Sequence, residues 1–274
     1  MIESPLWSIA VMSDLHVMAW KETNAPVEWV PQVQQAVADI ASLKPSLLVI
    51  EGDLTNGKVR DYRLARQILT AHCDFPIHYT MGNHEYYGYY EEEAWSDEAA
   101  QTRFFQETGM SSLHTVIDAG PLPLICLSTE HYAPDLGDAG WISDASLAWL
   151  AEELAARRGQ AVGVIFHQPL DDTVAESTNT CVQSEGFRRT LEMHGDVLFL
   201  SGHTHCRMDR PDQLVQDHGV LFVGGGCPHG DHPQSRWIDV YSDRIVIRIR
   251  DHVGRRWLTD WDHTHRSPNA RPHP

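Results

Sequence analysis

Five short blocks of this chain carry side chains able to bind a metal ion: Asp14-Leu15-His16, Gly52-Asp53, Gly82-Asn83-His84-Glu85, His167, and Gly202-His203-Thr204-His205. Singly, an Asp or His in such a place is a cap, a turn residue or a surface group. In order, each closing an apolar run, they point to one shared site. The donors are four imidazoles (His16, His167, His203, His205), two carboxylates (Asp14, Asp53) and one amide oxygen (Asn83). That mixed nitrogen and oxygen set, free of thiolates, suits divalent Mn, Fe, Zn, Co or Ni better than a soft site or an all-oxygen calcium site. Seven donors exceed the needs of one tetrahedral ion, so two transition-metal ions sharing a carboxylate are expected. Ions ~3.5–4 Å apart can hold a bridging hydroxide and clamp a phosphoryl group.

Such blocks need strands to aim them. Apolar runs predict strands at Trp7–Met12, Leu47–Ile50, Ile77–Thr80, Leu122–Leu127, Ala161–Phe166 and Val197–Leu200. Helical spacing predicts helices at Trp29–Leu43, Val59–His72, Ser143–Arg157 and Phe187–His194. Further β-like runs are Val220–Val223, Trp237–Tyr241 and Arg244–Arg250. Short connections predict neighbouring strands, whose carboxyl ends would bring all five blocks to one edge. The glycines at 52, 82 and 202 permit tight turns and a close approach of backbone to a bound ion. The stretches 86–95 and 168–183 lack periodicity and are expected to be site-lining loops.

Composition sets outer bounds. At 274 residues with 42% hydrophobic and 22% charged residues, the chain is an ordinary globular one. The expectation is one domain over 1–260 and a loose tail, rich in His, Pro and Arg, over 261–274. A formal net charge of −17 repels polyanions, so no long nucleic acid and no anionic membrane is expected as a partner. Five cysteines without C-x-x-C spacing argue for reduced thiols. No signal peptide and no membrane span is visible, and a cytoplasmic protein is expected. The acidic cluster Glu91, Glu92, Glu93, Asp97 and Glu98 reads as a solvated face.

In order and in full, D-x-H, G-D, G-N-H-[DE], H and G-H-x-H resemble the signature of the calcineurin-like metallophosphoesterase superfamily, over about seventy per cent of the chain. The resemblance implies an α/β fold (α+β by some schemes), a four-layer α/β/β/α sandwich of mixed sheets flanked by helices. It assigns Asp14, His16 and His205 to one metal and Asn83, His167 and His203 to the other, with Asp53 bridging. It makes His84 the general acid beside the substrate, and metal-activated hydroxide the nucleophile that hydrolyses a phosphate monoester or diester. Asn56 stands where many relatives carry an Asp that orients the catalytic His. An amide can hydrogen-bond there but lends an imidazolium no charge. Gln168-Pro169 departs from the His-Pro that follows this histidine in cyclic-nucleotide phosphodiesterase-like members.

Other residues carry less. Glu85 is expected to support the site without acting in it, and His229 is a candidate for the rim. The run Tyr86-Tyr87-Gly88-Tyr89-Tyr90 is expected to pack on the body rather than stack a nucleotide. The expected substrate is a small phosphoester, with nucleotides among the candidates. A protein phosphatase or nuclease using the same site is the alternative, and a scaffold without activity is a third reading, disfavoured because every motif residue is present.

Overall fold

The computed structural model describes residues 3–19, 29–92, 95–118 and 120–266. The first half is β1 (Trp7–Met12), α1 (Trp29–Leu43), β2 (Leu47–Glu51), α2 (Val59–His72) and β3 (Ile77–Thr80), then a 3-10 helix over His84–Tyr90 and α3 (Asp97–Thr108). The second half runs β4 (Thr115–Ile117), β5 (Leu124–Cys126), α4 (Asp144–Ala156), β6 (Val162–Ile165), α5 (Ser184–Glu192) and β7 (Val197–Ser201). It closes with β8 (Leu214–Asp217), β9 (Val220–Gly224), β10 (Gln234–Val240), β11 (Ile245–Asp251), β12 (Arg256–Trp257) and β13 (His263–His265).

The strands form two mixed sheets. One runs β12-β11-β10-β1-β2-β3, with β13 on β11, and its β1, β2 and β3 are parallel. The other runs β4-β5-β6-β7-β9-β8, with β5, β6, β7 and β9 parallel. Alternation along each central strand builds the layers. Ile9 and Val11 of β1 and Leu47 and Val49 of β2 face the second sheet, meeting Leu124, Ile165, Leu198, Leu200 and Leu221. Ala10, Met12, Leu48 and Ile50 face the other way, onto Val33, Val37 and Ile40 of α1 and Ile68 and Leu69 of α2. On the far side Val164, Phe199 and Phe222 pack on Leu150, Leu154, Phe187 and Leu191 of α4 and α5. Strands buried on both faces read as unbroken apolar runs. The result is the four-layer α/β/β/α sandwich.

Several expectations need correction. The five motif strands are not neighbours in one sheet: β1, β2 and β3 lie in the first and β6 and β7 in the second. The stretch drawn as a loop from 86 begins inside the 3-10 helix, whose turn is closed by Tyr86 N–H donating to Asn83 O at 3.0 Å. The acidic cluster includes the start of α3, where Ser96 caps by accepting from Ala99 N–H and Asp97 and Glu98 occupy the first turn. Carboxylates there complement the helix dipole, while Glu91 and Glu92 pair with Lys58 and Arg103. Residues 93 and 94 lie outside the described residues. The segment from 261 is ordered through Arg266, because β13 pairs with β11 and His265 Nε2 lies 2.8 Å from Asp196; 267–274 lie outside the described residues. From 168 to 183 the chain folds onto itself, Asp171 accepting from Thr180 and Cys181 N–H at 2.8 and 3.0 Å. Gln168 of that stretch hydrogen-bonds a candidate ligand (below). All five cysteines are free. Among the described residues no helix is long and apolar enough to cross a membrane.

Candidate metal centre

Past the ends of β1 and β2 the two segments stay in register: Asp14 N–H donates to Gly52 O at 3.2 Å and His16 N–H to Asp53 O at 3.0 Å. In the second sheet Gly202 N–H donates to His167 O at 2.8 Å. These bonds carry the blocks of both sheets to one edge. Their backbone is strained. Asp14, His16, Asp53, His203 and His205 all have positive φ, between 44° and 69°, a region costing about 1–3 kcal/mol for residues other than glycine. Gly52 and Gly82 leave room for ligands: a Cβ on either would lie within 2.6 Å of the His167 ring, and one on Gly82 would lie 2.3 Å from Asp53 Oδ1.

Each carboxylate is split between support and site. Asp14 Oδ2 accepts from His203 N–H at 2.9 Å and from the Ser13 hydroxyl, leaving Oδ1 at 3.1 Å from His205 Nε2, 3.7 Å from His167 Nε2 and 3.8 Å from His16 Nε2. Asp53 Oδ1 accepts from His84 N–H at 2.9 Å. Its Oδ2 faces His167 Nε2 at 3.0 Å and both His16 Nε2 and His84 Nε2 at 3.9 Å. His203 joins Asp53 and His167 within a radius fit for one ion, as do Asp14, His16 and His205 in a second group. A third group, His16, Asp53 and His84, overlaps both sides of the centre. Asn83 stands beside them, its Oδ1 accepting from Gln168 Nε2 at 3.1 Å and its Nδ2 donating to the Tyr87 hydroxyl at 3.1 Å. The amide oxygen keeps a second lone pair for an ion.

These residues fit metal ions. His167 Nδ1 donates to Glu51 O at 2.7 Å, so in the neutral ring Nε2 carries the lone pair. That atom is buried among carboxylate oxygens, with Asp53 Oδ2 at 3.0 Å and Asp14 Oδ1 at 3.7 Å. His16 Nε2 and His205 Nε2 face each other at 3.0 Å. Lone pairs converging on carboxylate oxygens call for cations. The field agrees. Burial lowers His167, but the charges of Asp53 and Asp14 outweigh it and lift the ring to about 10. Burial alone would raise Asp14 and Asp53, yet the facing histidines hold both below the ordinary carboxylate range.

His84 stands at the solvent edge, its side chain 25% exposed against 0% for His167. Its Nδ1 donates to Asn56 Oδ1 at 2.8 Å. Sequence reasoning thus placed Asn56 beside His84. It also gave Glu85 a supporting part, and the buried Glu85 carboxylate accepts from Asp53, Thr55 and Gly82 N–H at 2.9, 3.2 and 2.8 Å, tying two blocks together. Burial and the charge of Asp53 push that carboxyl up to about 7. Residues it missed are Ser13, Gln168 in its contact with Asn83, and Trp29. Ser13 and Gln168 adjoin motif residues, a usable signal, whereas Trp29 has none. His229 stacks on Trp29, ring centres 4.3 Å apart, at 5.9 Å from His16.

A family model described as calcineurin-like phosphoesterase matches residues 8–207. No curated protein matches the chain. Solved structures share its fold. A dimetal phosphatase from Danio rerio is 16% identical with a TM-score of 0.72, covering 96% of this chain and 100% of that one. A purple acid phosphatase from yellow lupin (Lupinus luteus) seeds is 13% identical with a TM-score of 0.67, covering 99% of this chain and 57% of that one. The anchor protein in the inner membrane complex of Plasmodium is 13% identical with a TM-score of 0.60, covering 97% of this chain and 89% of that one.

Proposed function

The chain belongs to the calcineurin-like phosphoesterase family and is a metal-dependent phosphoesterase, and we propose that it hydrolyses a small phosphate monoester or diester, nucleotides included, at a two-metal centre. Asp14, His16 and His205 hold one divalent transition-metal ion in this reading, and Asn83, His167 and His203 the other. Asp53 serves both. The observation that carries it is the place of Asp53 Oδ2, within 3.9 Å of His16 and His84 and 3.0 Å of His167. One carboxylate oxygen thereby joins both donor groups and the acid. Ions bound there supply Lewis-acid charge to the phosphoryl oxygens and lower the pKa of water.

The chain's own residues do the rest. Asn56 holds the Nδ1–H of His84, so Nε2 points into the centre, and it is the imidazolium, protonated on both nitrogens, that carries the transferable proton there. As the P–O bond breaks, its electron pair goes to the leaving oxygen, which takes that proton. Water adds its oxygen to phosphorus and releases a proton to solvent, and solvent returns one proton to His84. Glu85 holds the Asp53 backbone while this happens.

The test is a screen of the metal-reconstituted protein against monoesters, cyclic nucleotides, linear diesters, a phosphopeptide and DNA, run beside Asp53→Asn. Turnover of small esters, with both metals lost together from Asp53→Asn, is the expected result. Preference for the phosphopeptide or DNA would move the assignment to a protein phosphatase or nuclease. Full dinuclear occupancy in Asp53→Asn would remove the bridge.

A further inference from the structure

A 3-10 helix has three residues per turn, so residues three apart eclipse one another. Over His84–Tyr90 that rule places His84, Tyr87 and Tyr90 in one row. That row is the face turned to solvent: His84 and Tyr87 are half-buried and Tyr90 is exposed, whereas Glu85, Tyr86 and Gly88 are buried. The row begins at the metal centre. The His84 ring lies 4.1 Å from that of Tyr87, and Tyr87 lies 5.2 Å from Tyr90, edge-on. Tyr132 closes the group at 5.4 Å from Tyr87 and 6.5 Å from Tyr90.

The phenols are tied down. Tyr87 donates to Asp138 and accepts from Asn83 Nδ2 at 3.1 Å, and the hydroxyls of Tyr90 and Tyr132 lie 2.6 Å apart. A surface ordered in advance loses little freedom on binding. Yet Tyr90 keeps 61% of its surface in water.

We propose that this tyrosine row is the leaving-group subsite and takes a flat aromatic group without negative charge, an aryl or nucleoside moiety; this rests on the phosphoester reading of the centre. A leaving oxygen that receives its proton from His84 Nε2 must sit at His84. The group attached to that oxygen then extends along the row and meets Tyr87 and Tyr90. An aromatic ring gains about tenfold or more in affinity from such stacking, and an alkyl group gains little. Asp138, held at the Tyr87 hydroxyl, places negative charge beside the row and repels an anionic leaving group.

Benzylphosphonate and ethylphosphonate carry a methylene in place of the ester oxygen of phenyl and methyl phosphate, and are not hydrolysed. Calorimetric titration of each into the manganese-loaded full chain tests the subsite without turnover. The expected result is about tenfold tighter binding of the benzyl compound. Tyr90→Ala should erase that advantage, Tyr90→Phe should keep it, and neither should change the affinity for ethylphosphonate. Equal affinities in the unaltered protein, or an advantage that survives Tyr90→Ala, overturns the subsite alone. If neither phosphonate binds while the metals do, the phosphoester reading falls and takes the subsite with it.

Discussion

Asn56 Oδ1 accepts a hydrogen bond from His84 Nδ1 at 2.8 Å, and the opposite ring atom, Nε2, lies 3.9 Å from Asp53 Oδ2. The amide thus determines which nitrogen of His84 faces the metal centre. It does so without charge: burial lowers the His84 pKa below the ordinary histidine value, and the charges of Asp53 and Asp138 offset that only in part.

Removing the acid and removing its support should differ in size and kind. His84→Ala is expected to keep both metals and lose about 10²–10⁴ in kcat on esters with poor leaving groups, with little loss on good ones. Asn56→Ala keeps the ring but frees its tautomer, and should cost about tenfold. A plot of kcat against leaving-group pKa reads this directly. An equal loss in His84→Ala for every leaving group would make His84 a binding residue.

Gly82 tests how tightly the two sheets close on the centre. A Cβ there would lie 2.3 Å from Asp53 Oδ1 and 2.5 Å from His167 Cδ2. Gly82→Ala should weaken metal binding more than about tenfold and reduce stability by about 1–3 kcal/mol. Gly109→Ala is the control. That residue caps α3 at φ 79° with open space around it, so it should cost about 1–2 kcal/mol of stability and leave metal affinity unchanged. Metal titration and denaturant unfolding of both variants separate the two effects.

Away from the centre, Asp39 of α1 receives Arg250 through both oxygens at 2.7 and 2.8 Å and His252 at 2.9 Å, all three side chains buried. Burial works to raise the Asp39 carboxyl, but the hydrogen bonds from Arg250 and His252 outweigh it and hold it well below the ordinary range. A depressed pKa contributes stability that is present above the unfolded value of about 3.9 and lost as pH falls towards the folded one. Asp39→Asn should therefore cost about 3–5 kcal/mol at pH 7. Its deficit should shrink steadily as pH falls below about 4. Urea unfolding of both proteins across that range checks the sign, and a deficit independent of pH would show that the carboxylate charge contributes nothing.

Most of the sandwich could be read from residue order because its central strands are buried on both faces. The run Ile9-Ala10-Val11-Met12 is apolar throughout since Ile9 and Val11 meet the other sheet while Ala10 and Met12 meet helices. Elements with weaker burial were harder to see. In α3 only Ala100 and Phe104 are buried, too few to stand out as a stripe. All three residues of β4, at the sheet edge, are only half-buried. The tail strand β13 gives a similar lesson, since His263, Thr264 and His265 show no apolar pattern and are ordered by pairing with β11.

Sequence alone named the candidate donors and the metal class such donors suit, because ligand chemistry resides in residue type and each block must follow a strand to be aimed. It could also rank Asn56 as a partner for His84 through the motif. Only the tertiary structure decided that the blocks come three from one sheet and two from the other. Only there does Glu85 bind the backbone of two blocks, and does a 3-10 helix carry His84, Tyr87 and Tyr90 in one row. Those relations depend on distances between segments far apart in the chain and on a helix period of three, and neither is written in the identity of any single residue.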